Sequence, residues 1–129
     1  MSRTGPARRI LLVEDDTAIR EALDEVLGEL GYEVVSAPDG RGGLQLAAAE
    51  PEPCLILLDW RMPVVDGPEF LRRLRELPRG TEFPVILSTA DRSATAVSMG
   101  DQVAAVLSKP FDLDSLLSVL ARISPRATG

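Results

Sequence analysis

The stretch LILLDWRMPVVDG, Leu55–Gly67, decides how this chain folds. Leu55 to Leu58 are aliphatic at every position and run straight into Asp59; Met62-Pro63 and Asp66-Gly67 follow. A short run that is apolar throughout, with no alternation, predicts a strand covered on both faces. The expected strand is Cys54–Leu58, and it ends by presenting a carboxylate. A second apolar run, Ile10–Val13, likewise ends in acids, Glu14-Asp15-Asp16. Two buried strands that each deliver acid at the carboxyl end suggest one shared site.

The rest of the chain fits around these two strands. Ile19, Leu23, Val26, Leu27 and Leu30 recur at helical spacing up to Gly31, which predicts an amphipathic helix with a glycine stop. Tyr32–Ala37 is a second strand, broken by Pro38-Asp39-Gly40. Leu44–Glu50 is a helix ended by Pro51 and Pro53. Pro68 opens another helix, with Phe70, Leu71, Leu74 and Leu77 inward and Arg72, Arg73 and Arg75 on a solvated face. Phe83–Ser88 and Ala104–Ser108 are strands, and Leu113–Ile123 is a closing helix. Between Thr89 and Ala104 small and hydroxylated residues predominate, so a helix there is short and marginal. Strand and helix alternate five times, which predicts an α/β fold: a doubly wound parallel sheet with helices on both faces.

The bulk numbers agree. The chain has 129 residues, 45% apolar and 26% charged, enough for one domain with an aliphatic core, since aromatics are only 4%. Residues 8–123 are taken as that domain, with 1–7 and 124–129 as flexible tails. A net charge of −6 argues against direct nucleic-acid binding and against anionic membranes. One cysteine, Cys54, allows no internal disulfide and reads as a small buried hydrophobe; the absence of histidine removes imidazole catalysis and histidine metal ligands. No apolar run approaches a membrane span, so a cytoplasmic location is expected.

In an open parallel sheet, sites form outside the carboxyl ends of the strands. With strand order 2-1-3-4-5, strands one and three are neighbours, and Glu14, Asp15 and Asp59 crowd together. At ~4 Å and an effective dielectric near 20, each such pair repels by roughly 4 kcal/mol unless a proton, cation or lysine intervenes. An all-oxygen set suits Mg²⁺. Lys109, before Pro110, brings an ammonium to the same edge, and Thr89 brings a hydroxyl. Metal, ammonium and hydroxyl around one carboxylate make a site for a phosphoryl group. Read singly, each residue is ordinary: Asp59 closes a strand, Lys109 lies at the surface, and Glu14 to Asp16 start a helix.

Together, LLVEDD (Leu11–Asp16), LLDWRMPVVDG (Leu57–Gly67), ILSTA (Ile86–Ala90) and SKPF (Ser108–Phe111) resemble the receiver domains of two-component response regulators. The resemblance covers about Arg8 to Ile123 and implies a flavodoxin-like (βα)5 fold. It implies that Asp59 is the phosphoacceptor, and that Mg²⁺ is held by Asp15, Asp59, the backbone carbonyl of Arg61 and, through water, Glu14. It also implies that Lys109 contacts the phosphoryl oxygens and that Thr89 carries the signal. The implied donor is a phosphohistidine on a sensor histidine kinase or a phosphotransfer protein. The implied recipient of the signal is a downstream protein target or an output domain. The domain is then monomeric or dimerises on phosphorylation, and it acts as an acceptor, not an enzyme.

Three positions tune this expectation. Many receivers have an aromatic ring three residues before the lysine; here Val106 stands there, so the threonine–aromatic switch is lost and output is expected to pass through Asp91–Gln102. Arg61 and Asp91 are positions that modulate the phosphoryl lifetime, and their opposite charges suggest a pair across the mouth of the site. Other classes fit less well. An aspartate-nucleophile phosphohydrolase carries a second acid where Arg61 stands. A flavodoxin-like cofactor carrier needs a phosphate loop where Glu14 to Asp16 would repel one. The alternative is a receiver-like scaffold that is never phosphorylated.

Overall fold

A computed structural model of the chain describes residues 9–60, 65–90 and 102–123. In chain order the elements are β1 (Arg9–Val13), α1 (Thr17–Glu29), β2 (Glu33–Ala37), α2 (Gly40–Ala49), β3 (Leu55–Asp59) and α3 (Gly67–Arg75). A 3₁₀ turn (Gly80–Glu82), β4 (Val85–Thr89), β5 (Val103–Ser108) and α4 (Leu113–Ile123) follow. The 5-stranded sheet is parallel, in the expected order β2-β1-β3-β4-β5. Residues 91–101, most of the segment where a marginal helix was expected, lie outside the described residues, as do Arg8 and both expected tails.

Alternation along each strand feeds two cores. Leu11, Val13, Ile56, Leu58, Val85 and Leu87 pack with Phe70, Leu71 and Leu74 of α3 and Ala47 of α2. Ile10, Leu12, Leu57, Ile86 and Leu107 pack with Leu27 of α1 and Leu116, Val119 and Leu120 of α4. The central strands are therefore buried on both faces, as their uninterrupted apolar character requires.

The helices start on side-chain caps. Asp16 accepts from the Ile19 amide at 3.0 Å, Asp39 from the Gly42 amide at 2.8 Å, and Asp66 from the Glu69 amide at 3.0 Å. Asp39 explains why α2 begins at Gly40 and not at the expected Leu44. Helix propensity disfavours the glycines there, but a Cβ on Gly43 would lie 2.7 Å from Val13 Cγ2, so close packing against β1 decides the residue type. Gly31, at φ +99°, ends α1 as expected.

The expected ends of β3 and β4 were one residue short. Both strands run on to the polar residue, Asp59 and Thr89, because its backbone still pairs with a neighbour: Asp59 stands opposite Ser88, and Thr89 opposite Ser108. Arg72 and Arg73 form exposed ion pairs with Glu69, and Arg72 also with Glu76, which makes this the solvated face that was expected. Cys54 is half-buried, and burial, followed by the nearby Glu50 charge, pushes its thiol up to about 12, in keeping with an inert packing role.

Gly28 is a position where the fold has not optimised its helix. It lies on the exposed side of α1, and nothing is within 4 Å of where a Cβ would be. Gly28→Ala is expected to raise unfolding free energy by about 0.5–1 kcal/mol, read from the midpoint of urea denaturation at constant slope.

Candidate functional site at the carboxyl edge of the sheet

The pairing of Val13 with Leu58 and of Asp59 with Ser88 sets the first residue after β1 level with the last residue of β3. Glu14 follows Ile10 and Leu12 in alternation, and Asp59 follows Leu57, so both acids leave on the α1–α4 side of the sheet. Glu14 is 2% exposed and Asp59 6%, while Asp15 is exposed. One oxygen from each of the three carboxylates lies within 4.8 Å of the others.

Lys109 reaches this cluster from the end of β5. Its amide donates to the Thr89 carbonyl at 2.7 Å, and the Lys109–Pro110 peptide is cis. Its Nζ stands 3.2 Å from Glu14 Oε1 and 3.3 Å from Asp59 Oδ1, so one ammonium is shared by two buried carboxylates. Burial alone would lower the Lys109 pKa, but the charges of Asp59 and Glu14 outweigh it and hold the ammonium above its ordinary value. Burial raises Asp59 first, the Glu14 charge adds to it, and Lys109 opposes both. Asp15 is raised too, by burial and then by its hydrogen bond and charge interaction with Asp59.

Thr89 is 2% exposed at the end of β4. It continues the alternation of Val85 and Leu87, toward the α2–α3 layer, so it borders the cluster from the other side of the sheet end. Val106 stands opposite Leu87 and packs half-buried on that same core. The structure thus brings Glu14, Asp15, Asp59 and Lys109 together, with Thr89 next to them. The Arg61 carbonyl, Asp91 and the Arg61–Asp91 pair lie outside the described residues, as does Met62-Pro63.

Three features of the site were not read from the sequence. Ser88 is buried opposite Asp59. Arg20 Nη1 donates to the Glu14 backbone carbonyl at 3.0 Å; its signal was a cation near a helix start, where acids are the rule. Gly67 lies under the Trp60 ring, and its amide donates to the Trp60 carbonyl at 2.9 Å. A Cβ on Gly67 would overlap that ring. Gly67→Ala is expected to cost about 1–3 kcal/mol and to shift the emission of Trp60, the single tryptophan; unchanged stability and emission would refute the contact.

The donor set passes the chemical test for a hard divalent cation. It is all oxygen, two of its carboxyls are held above their usual range, and its exposed member opens it to solvent.

Known proteins agree with this geometry. The family model described as "Response regulator receiver domain" matches residues 10–121. Response regulator MprA of Mycolicibacterium vanbaalenii is 39% identical over 122 residues, 93% of this chain and 52% of that protein. The phosphate regulon transcriptional regulatory protein PhoB of Escherichia coli is 36% identical over 127 residues, 94% of this chain and 55% of that protein. The chain thus spans about half the length of these curated relatives.

Among solved structures, response regulator TrrA of Thermotoga maritima, in complex with Mg²⁺ and BeF, aligns with TM-score 0.78 and 30% identity, covering 89% of this chain and 97% of that one. The receiver domain of a sensor histidine kinase from Pseudomonas aeruginosa, with magnesium in its active-site cleft, aligns with TM-score 0.79 and 30% identity, covering 91% and 97%. A matching family model over most of the chain, the sheet order and the acid–lysine cluster lead to one conclusion: this chain belongs to the response regulator receiver domains of two-component systems.

Proposed function

We propose that this domain accepts a phosphoryl group on Asp59 and, once phosphorylated, changes its binding to a downstream protein target or output domain. The observation that carries this reading is the sharing of Lys109 by two buried carboxylates, Glu14 and Asp59, at 3.2 and 3.3 Å. Such a group of charges is costly as plain structure and suited to an incoming phosphoryl group. The donor is a phosphohistidine on a sensor histidine kinase or phosphotransfer protein, or a small phosphodonor.

An Asp59 carboxylate oxygen attacks phosphorus. The new O–P bond forms as the donor's P–N or P–O bond breaks, and the leaving group departs with the electron pair. A departing imidazole takes its proton from water. Mg²⁺ held by Glu14, Asp15 and Asp59 would supply positive charge to the transferring oxygens. Lys109 supplies a second, fixed charge without reorganisation, because its ammonium already lies between the acids. The carboxyl ends of β1 and β3, paired in the sheet, hold the acceptor rigidly at the sheet edge, and the burial of Asp59 limits attack by bulk water. Thr89, hydrogen-bonded through its carbonyl to the Lys109 amide, links the acceptor to the segment that follows it, and output passes through that segment.

Val106 fills the place of the usual switch aromatic, so this output does not depend on a ring movement. The domain is an acceptor and not a turnover enzyme, since Arg61 stands where an aspartate phosphohydrolase carries its second acid. No helix of the described residues is long and apolar enough to cross a membrane, and the net charge of −6 disfavours direct nucleic-acid contact. A cytoplasmic site of action and a monomer or phosphorylation-dependent dimer complete the reading.

The test follows Trp60 fluorescence during addition of Mg²⁺ and then acetyl phosphate, with intact-mass analysis of the same samples. A response to each, and one added phosphoryl group, support the reading. Silence to both moves the domain to the scaffold class.

A further inference from the structure

We propose that Arg20 is a positioning residue for the metal site, acting through the Glu14–Asp15 peptide. The inference rests on the Mg²⁺ reading above and deepens it. Arg20 lies in the opening turn of α1, where its amide donates to the Asp16 carbonyl at 2.9 Å. That end of a helix carries positive partial charge and favours acids; Asp16 caps it accordingly, but inside the first turn there is no acid and a cation, Arg20, stands beside the cap. Local rules broken in this way point to a compensating role.

The role is visible in the contact. Arg20 Nη1 donates to the Glu14 backbone oxygen at 3.0 Å, in a part-buried setting. Every other polar group of Glu14 is also engaged: its amide donates to the Ala37 carbonyl at 3.1 Å, Oε1 lies 3.2 Å from Lys109 Nζ, and Oε2 accepts from the Asp16 amide at 3.2 Å. The Glu14 carbonyl belongs to the same planar unit as the Asp15 amide. Fixing that oxygen fixes the plane from which Asp15, the one exposed acid of the cluster, departs. Asp15 is exposed, and apart from its hydrogen bond to Asp59 its place beside that residue depends on this plane.

Two opposite effects compete at Arg20. Its positive charge repels a cation, and its hydrogen bond orders the acids. Arg20 is half-buried, so solvent and salt weaken the repulsion, whereas the hydrogen bond to Glu14 acts at contact; we take ordering as the larger effect.

The test is the Mg²⁺ dissociation constant, read from Trp60 fluorescence for wild type, Arg20→Ala, Arg20→Gln and Arg20→Lys, with circular dichroism to verify folding. Arg20→Ala and Arg20→Gln are expected to weaken Mg²⁺ binding about tenfold, and Arg20→Lys, which keeps a donor of similar reach, to recover much of the loss. If Arg20→Ala does not fold, Arg20→Gln and Arg20→Lys carry the comparison. A purely structural Arg20 would lower the melting temperature and leave the dissociation constant alone, which would overturn the proposal. Tighter binding in Arg20→Ala and Arg20→Gln would overturn it in favour of simple charge repulsion. A wild type without any Mg²⁺ response would overturn the metal reading itself, an outcome distinct from equal binding by all four proteins.

Discussion

Asp59→Asn is expected to abolish phosphoryl uptake from acetyl phosphate while leaving the domain folded. The amide has nearly the shape of the carboxylate but no anionic oxygen to attack phosphorus, so intact mass should show no added group where wild type shows one. The same variant should be more stable than wild type at neutral pH without metal. Burial and the Glu14 charge raise the Asp59 pKa in the folded state. An acid with a raised folded pKa is favoured by folding only when protonated. Its penalty is absent below the unfolded value near 3.9, grows as pH rises through the folded pKa, and is complete above it. Asparagine removes that penalty, so a gain in stability is expected at pH 7, vanishing toward pH 4. Urea denaturation at both pH values checks the sign. A phosphorylated Asp59→Asn protein would refute the acceptor assignment; a variant less stable at pH 7 would refute the electrostatic one.

Lys109→Ala is expected to have the largest effect on stability. Glu14 is 2% exposed and Asp59 6%, and both face this one ammonium. Removing one partner of a buried ion pair costs about 3–5 kcal/mol. Lys109 itself keeps 21% of its side chain exposed, so a loss of about 2–4 kcal/mol is expected at pH 7 without metal. The raised Lys109 pKa means that its contribution is complete below the unfolded value near 10.4 and fades only as pH rises through the folded one, so pH 7 shows all of it. Lowering the pH should return part of the loss, because Asp59, already raised, takes up a proton more readily without Lys109. Added Mg²⁺ should also return part of it. A loss that neither acid nor metal relieves would mean that Lys109 supports the fold by packing alone.

Much of the molecule was legible in the chain because it rests on contiguous signals. Uninterrupted apolar runs at Ile10–Val13 and Leu55–Leu58 demand double-sided burial, and that demand fixes a parallel sheet with a helix layer on each face. Acids directly after those runs place the site at the carboxyl edge. Gly31 and Pro68 mark helix ends by backbone chemistry that needs no tertiary partner. The start of α2 was less legible, since Gly40 and Gly43 argue against helix locally and only contact with Val13 and Val65 explains them.

What the sequence determined by itself was the fold class and the identity of the acids, the threonine and the lysine; the strand order that brings Glu14 beside Asp59 was a premise taken with that fold class, and the sheet has it. Tertiary structure alone decided that one ammonium serves two buried carboxylates, that Thr89 borders the cluster from the opposite side of the sheet, and that Arg20 holds the peptide before Asp15. The physical reason is range. Periodicity and propensity act over neighbouring residues, whereas the sharing of Lys109 joins positions 95 residues apart, and such distances in space are set only when the sheet register is complete.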